Sequence, residues 1–183
     1  MRSPLEDLLI IGYGNSLRGD DGAGPQAARE LRGRGFPALE VHQLAPELAE
    51  AISRVKLVVF TDASVELEPG QVRVTPVRED RASAFEHHIS PGGLLRLTRE
   101  VYERAPAALV IAIGGESYEL GDALSDSALR AIQDVVDICA HAGTRSCANA
   151  SAVLLSVNSR FRTPRGSRSP RPRQPEHHSA SPD

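Results

Sequence analysis

Unbroken apolar runs alternate along this chain with segments whose apolar residues recur every three or four positions. Leu8-Leu9-Ile10-Ile11 contains no polar position, the pattern of a strand covered on both faces in a parallel sheet. Ala23, Ala27, Ala28 and Leu31 share one helical face from about Gly22 to Arg32, and Gly33, Gly35 and Pro37 end that helix. Leu39 to Leu44 alternates as a second strand, and Pro46 opens a short helix to Ile52. Leu57-Val58-Val59-Phe60-Thr61, rich in β-branched and aromatic residues, predicts the central strand, which ends at Asp62.

A turn at Glu68-Pro69-Gly70 precedes Gln71 to Val77, whose alternation predicts an edge strand with one wet face. A polar loop follows from about Arg78 to Ser90. Ser90-Pro91 then supplies an N-cap and a proline at the first helical position, and Leu94, Leu95, Leu97 and Val101 carry the helix to about Arg104. Ala108 to Ile113 is another buried strand. The last helix runs from a cap at Ser125 or Asp126 through Leu129, Ile132, Val135, Val136 and Cys139 to near Gly143. Beyond it the pattern weakens to a short apolar run, Ala152 to Val157. Strands alternating with helices predict an α/β fold: a three-layer αβα domain whose twisted, mostly parallel sheet of about five strands is flanked by helices.

Composition narrows this picture. A chain of 183 residues suits one domain, placed at 1–157. Residues 158–183 are rich in Pro, Ser and Arg, a composition that predicts a basic, disordered tail. That tail carries six arginines against Glu176 and Asp183, which leaves the body acidic and argues against a nucleic-acid partner. No apolar run approaches the roughly 18 residues of a membrane span, and Met1 to Asp7 has acids where a signal peptide would begin its apolar core. The expectation is a cytoplasmic monomer. Cys139 and Cys147 lie in no Cys-x-x-Cys or Cys/His cluster and read as ordinary thiols, and His42, His141 and the His177-His178 pair read as solvated.

The chemistry-bearing residues converge on one sheet edge. In such folds ligands collect outside the carboxyl ends of the strands, and the chain places there Asp20 and Asp21 after the first strand, Asp62 after the central strand, and His87 or His88 ahead of the Ser90-Pro91 helix start. Carboxylates with an imidazole form an oxygen- and nitrogen-rich site suited to a divalent metal such as nickel or zinc. Adjacent aspartates do not easily face the same way, so one of Asp20 and Asp21 caps or shapes the turn and the other faces the cleft. Gly12-Tyr13-Gly14 also invites a dinucleotide reading, but Leu17 stands where a third glycine would be, and two aspartates occupy the place of a pyrophosphate.

Gly12-Tyr13-Gly14-Asn15-Ser16-Leu17-Arg18-Gly19-Asp20-Asp21-Gly22-Ala23-Gly24 resembles the N-terminal motif of the [NiFe]-hydrogenase maturation proteases, endopeptidases that trim the hydrogenase large-subunit precursor. Gln43 to Leu48, Val59 to Ala63, His88-Ile89-Ser90-Pro91, Gly115-Glu116, Leu120-Gly121 and Leu124-Ser125 extend the resemblance over about residues 7–142. The family's metal-binding acids fall on Asp21 and Asp62 and its histidine on His88, with His87 as the neighbouring alternative. The resemblance implies recognition of nickel already loaded in the precursor, bound transiently, with another divalent metal able to substitute, followed by removal of the C-terminal extension. No Ser-His-Asp triad or His-Glu-x-x-His helix is visible, so a metal- or precursor-binding relative without catalysis is the alternative, and a Rossmann-like nucleotide binder a more distant one. On this reading the motif's glycines give clearance for a bulky peptide and its metal.

Overall fold

The computed structural model describes residues 4–80, 89–143 and 147–156. A 3-10 turn at Pro4–Asp7 leads into β1 (Leu8–Tyr13), and a second at Gly19–Gly22 leads into α1 (Ala23–Gly33). Then follow β2 (Ala38–Val41), α2 (Leu48–Ser53), β3 (Leu57–Ser64), β4 (Val72–Pro76), α3 (Pro91–Tyr102), β5 (Ala107–Gly114), α4 (Asp126–Gly143) and α5 (Cys147–Ser156). The strands form one sheet in the order β2-β1-β3-β5-β4. β2, β1, β3 and β5 are parallel, and β4 runs antiparallel along β5 with Val72 opposite Ile113 and Pro76 opposite Leu109. The expected α/β architecture is present, and the segment beginning at Leu57 is the middle strand of the five.

Apolar residues on successive positions of the inner strands serve opposite faces, because side chains alternate across a sheet. Leu8, Ile10, Leu57, Val59, Leu109 and Ile111 pack with residues of α1, α4 and α5. Leu9, Ile11, Val58 and Phe60 pack with Ile52 of α2 and Leu94 and Leu95 of α3. This is why the strand sequences read as continuous apolar runs. β4 has one buried face, Val72 and Val74, with Arg73 and Thr75 exposed, and its terminal Pro76 is tolerated because an edge strand need not donate on both sides.

The helix ends follow the sequence signals. Ser90 Oγ accepts from the Gly93 N–H at 2.9 Å with Pro91 opening α3, and Ser125 Oγ accepts from Ala128 N–H at 3.1 Å ahead of α4. Two elements differ from expectation. The second strand stops at Val41 rather than Leu44, since Leu44 turns into the core on the α2 side. The apolar run near residue 152 belongs to a helix, α5, in which Ala150 and Leu154, four apart, bury against the α4 side of the sheet. Cys139 is buried and its thiol is pushed up to about 12 by that burial, so it is an unreactive core group. No helix among the described residues is long and apolar enough to cross a membrane. The predicted tail from 158 onward and the stretch holding His87 and His88 lie outside the described residues.

Candidate functional site

The strand order reverses direction at β1: the chain leaves it through α1 for β2 on one side, then returns through α2 to β3 on the other. Helices α1 and α2 cover opposite faces of the sheet, so the loops at the carboxyl ends of β1 and β3 diverge and leave a crevice between them. A cleft of about 320 Å³ occupies that place, and its lining includes Tyr13, Asn15, Asp21, His42, Asp62 and Ile89. Asp21 and Asp62, 41 positions apart in sequence, are thereby brought to one cavity.

Each carboxylate is fixed by its own neighbours. The Asn15 backbone N–H donates to Asp21 Oδ2 at 2.8 Å, and Asn15 Oδ1 in turn accepts from Leu17 N–H at 3.0 Å. Asp62 stands within β3 opposite Ala112 of β5 and accepts a hydrogen bond from the Tyr13 hydroxyl. Burial pushes the Asp62 carboxyl up to about 6; the bonds from Tyr13 and the Ala63 N–H act against the rise, and the charge of Asp21 adds to it. Tyr13 is pushed far up by burial, then by the charge and hydrogen bond of Asp62, so it stays a neutral donor. The pair is therefore a hydrogen-bonded phenol and a carboxylate that titrates close to neutrality.

Asp20 is wholly buried and faces the other way. Its Oδ2 accepts from Glu116 N–H at 2.6 Å, Ser117 N–H at 3.3 Å and Ser125 Oγ at 2.8 Å, and its Oδ1 accepts from Ser125 N–H at 2.7 Å. Burial alone would raise its pKa, but these bonds outweigh burial and hold the carboxyl below the usual range. The turn-shaping role expected of one aspartate thus belongs to Asp20, with a difference. It caps no turn of its own helix; it clamps the β5–α4 loop and the first turn of α4 onto the loop after β1.

The glycines of the first motif serve internal packing, which corrects the expectation that they make room for a peptide. A Cβ at Gly12 would lie 2.1 Å from the Gly24 carbonyl oxygen and 2.7 Å from Ala28 Cβ. One at Gly24 would lie 2.4 Å from the Thr61 oxygen and 2.5 Å from that of Tyr13. Helix α1 therefore rides directly on the backbones of β1 and β3, and the buried Thr61 hydroxyl seals the contact by donating to Gly24 O at 3.1 Å. Gly14, at φ 139°, has the conformational need proper to glycine and lies against the Asp21 carbonyl.

Of the predicted site residues, Asp21 and Asp62 meet at the cleft. His88 and its alternative His87 lie outside the described residues, although the next residue in the chain, Ile89, lines it. Among the described residues no group of three acidic, histidine or cysteine side chains is assembled to hold a metal ion. His42 was read as merely solvated, yet it lines the same cleft from the end of β2. Its position at the carboxyl end of a parallel strand was the signal that could have found it. The Tyr118 hydroxyl lies against Gly115, where an added Cβ would come within 2.4 Å of it; burial raises its pKa first, the backbone of Gly115 acts against the rise, and the charges of Asp20, Asp21 and Asp62 add to it.

Comparison with known proteins places this geometry in a context. No family model matches the chain. A curated protein of Methanocaldococcus jannaschii, provisionally assigned as a hydrogenase maturation protease, is 26% identical over 148 residues, covering 73% of this chain and 94% of its own length. The structure of the [NiFe] hydrogenase maturation protease HybD from Thermococcus kodakarensis is 28% identical, with a TM-score of 0.56 over 73% of this chain and 97% of that one. The [NiFe] hydrogenase maturation protease HycI from Thermococcus kodakarensis KOD1, at 21% identity, shares the fold with a TM-score of 0.61, over 74% of this chain and 91% of its own. The resemblance read from the first motif is thus borne out in sequence and in fold.

Proposed function

We propose that this chain is an endopeptidase of [NiFe]-hydrogenase maturation, which recognises nickel in the large-subunit precursor and removes the precursor's C-terminal extension. The observation that carries the reading is the meeting of Asp21 and Asp62 in one cleft at the crossover between β1 and β3, in a chain similar to maturation proteases over most of its length.

The nickel belongs to the substrate. Carboxylate oxygens suit a divalent ion whose coordination is incomplete, and on this reading Asp21, Asp62 and His88 take up its open positions when precursor enters. The Asn15 N–H holds Asp21 through Oδ2, and the Tyr13 hydroxyl steadies Asp62. The Asp62 carboxyl, raised to about 6, is mostly ionised at neutral pH and able to bind metal, while burial leaves its charge poorly solvated and ready for a cation. A precursor lacking the ion offers nothing to offset the two carboxylates, so the cleft selects for loaded substrate.

The test is incubation of nickel-loaded precursor with the full chain, followed by intact-mass measurement. The reading expects loss of the C-terminal extension, no change in metal-free precursor, and no cleavage by Asp21→Asn, Asp62→Asn or His88→Ala variants that still fold. Binding of loaded precursor with no change in its mass would instead establish a non-catalytic precursor-binding relative.

A further inference from the structure

The opposite end of the sheet carries a second cavity, of about 610 Å³ against about 320 Å³ for the cleft. It lies at the amino ends of β3 and β5, where α2 and α3 both terminate. Lys56 immediately precedes β3 and Asp62 stands toward its carboxyl end, so about 20 Å of strand separates this cavity from the carboxylates of the cleft. A ligand held here touches nothing bound there. The cations Arg54, Lys56 and Arg104 line the cavity against a single acid, Asp7. In a chain whose formal net charge is -3, that is a local reversal of sign.

The backbone beneath these cations is fixed: Lys56 N–H donates to the Asp7 carbonyl at 2.8 Å, and Ala107 N–H donates to the Lys56 carbonyl at 3.1 Å. Arg104 Nε donates to the carbonyl of Ser53, an acceptor that the end of α2 leaves without an intrahelical partner. That bond orients the guanidinium plane, and the two terminal nitrogens have no partner among the described residues. Lys56 pairs with Asp7 and Arg54 with Glu50, but the cations of these pairs are 71% and 72% exposed. Exposed pairs of that kind contribute little, so a ligand of higher charge can recruit both. Val55, Ala105 and Pro106 supply wall without any side-chain donor or acceptor.

We infer that this cavity binds a small organic phosphate, its phosphoryl group forked by Arg104 and flanked by Lys56 and Arg54, its apolar body against Val55, Ala105 and Pro106. The donors select the head group. A guanidinium fork matches two phosphoryl oxygens at once, and a dianion answers three clustered cations better than a carboxylate does. The volume is that of a small-molecule site and exceeds what free phosphate fills. The site is independent of the function proposed above, which uses only the other end of the sheet.

Lys56 is the only lysine of the chain, which makes the test specific. The full chain is acetylated with sulfosuccinimidyl acetate, with and without phenyl phosphate, and the rate at Lys56 is read by peptide mass spectrometry. The expected result is that phenyl phosphate slows acetylation of Lys56 and leaves that of the α-amino group unchanged. Calorimetry should show phenyl phosphate binding about tenfold or more tighter than inorganic phosphate or phenylacetate, and Arg104→Gln, which alters an exposed side chain, weakening it by about tenfold or more. Arg104→Lys, which keeps the charge without the fork, should not restore it. No protection of Lys56, an unchanged affinity in Arg104→Gln, or equally tight binding of inorganic phosphate or phenylacetate would overturn the assignment. Protection is measured on the unaltered chain, so it decides the matter even where Arg104→Gln fails to fold. Because neither readout involves hydrolysis, both fail or succeed separately from precursor processing.

Discussion

Replacing Asp62 by Asn should make the protein more stable at neutral pH, and the gain should itself depend on pH. The Asp62 carboxyl is raised from 3.8 to about 6, chiefly by burial, so between those values the folded chain holds a proton that the unfolded chain has released. Stability is then lost as pH rises through this window, because ionising Asp62 costs more in the fold than in the open chain. A rise of about two pH units corresponds to roughly 3 kcal/mol, taken as an upper bound. Asn carries no charge, and its side-chain carbonyl can still accept from the Tyr13 hydroxyl. Urea unfolding of both proteins from about pH 4 to about pH 7.5 should therefore show a variant advantage that grows by up to roughly 3 kcal/mol and levels off above about pH 6.5. A difference that is flat across that range would refute the assignment of a buried, reluctantly ionised carboxylate. The same substitution is expected to abolish precursor cleavage, so stability and activity part company at this residue.

Three other perturbations probe different parts of the site. Asp20→Ala strips acceptors from the Glu116, Ser117 and Ser125 N–H groups at a buried position and should cost about 3–5 kcal/mol in chemical unfolding. Because the folded pKa of Asp20 is lowered, its stabilisation is complete above 3.8 and lost as pH falls through the folded value, so Asp20→Asn should flatten the acid limb of the stability curve below about pH 4. Gly12→Ala forces a methyl group to 2.1 Å from a backbone oxygen and should lower stability by about 3 kcal/mol, read as a drop in Tm, whereas Gly33→Ala, in open space, should be neutral or slightly stabilising. His42→Ala removes an exposed side chain from the cleft wall and should leave unfolding within about 0.5 kcal/mol of the parent while raising the KM for precursor.

The fold was legible wherever one physical demand controlled the residue choice. Strands buried on both faces admit only apolar residues, so Leu8–Ile11 and Leu57–Phe60 announced themselves, and the Ser90-Pro91 start needed only local capping chemistry. Where a residue answers to a distant partner the local pattern is silent. Nothing near Asp20 reveals that its acceptors serve N–H groups up to 105 positions away, and the tight seat of α1 on β1 and β3 turned glycines that looked like ligand clearance into packing necessities. His42 was missed because an imidazole in a polar stretch carries no periodic signal; only the parallel placement of β2 beside β1 brings it to the cleft. Helix α5 was obscured because apolar residues occur around much of its circumference, leaving no clear stripe.

The Asp20 clamp also bears on how the protein is made. The motif carrying both aspartates leaves the ribosome early, yet the donors that Asp20 requires are at 116, 117 and 125. Until those residues emerge, a carboxylate destined for complete burial has only water to satisfy it, and the loop bearing Asp21 has no fixed seat. β5, which must insert between β3 and β4, arrives at the same stage of synthesis. The nascent chain thus presents Asp21 and Asp62 long before it can aim them, and the cleft gains its final shape only when the last strand and the start of α4 have been delivered.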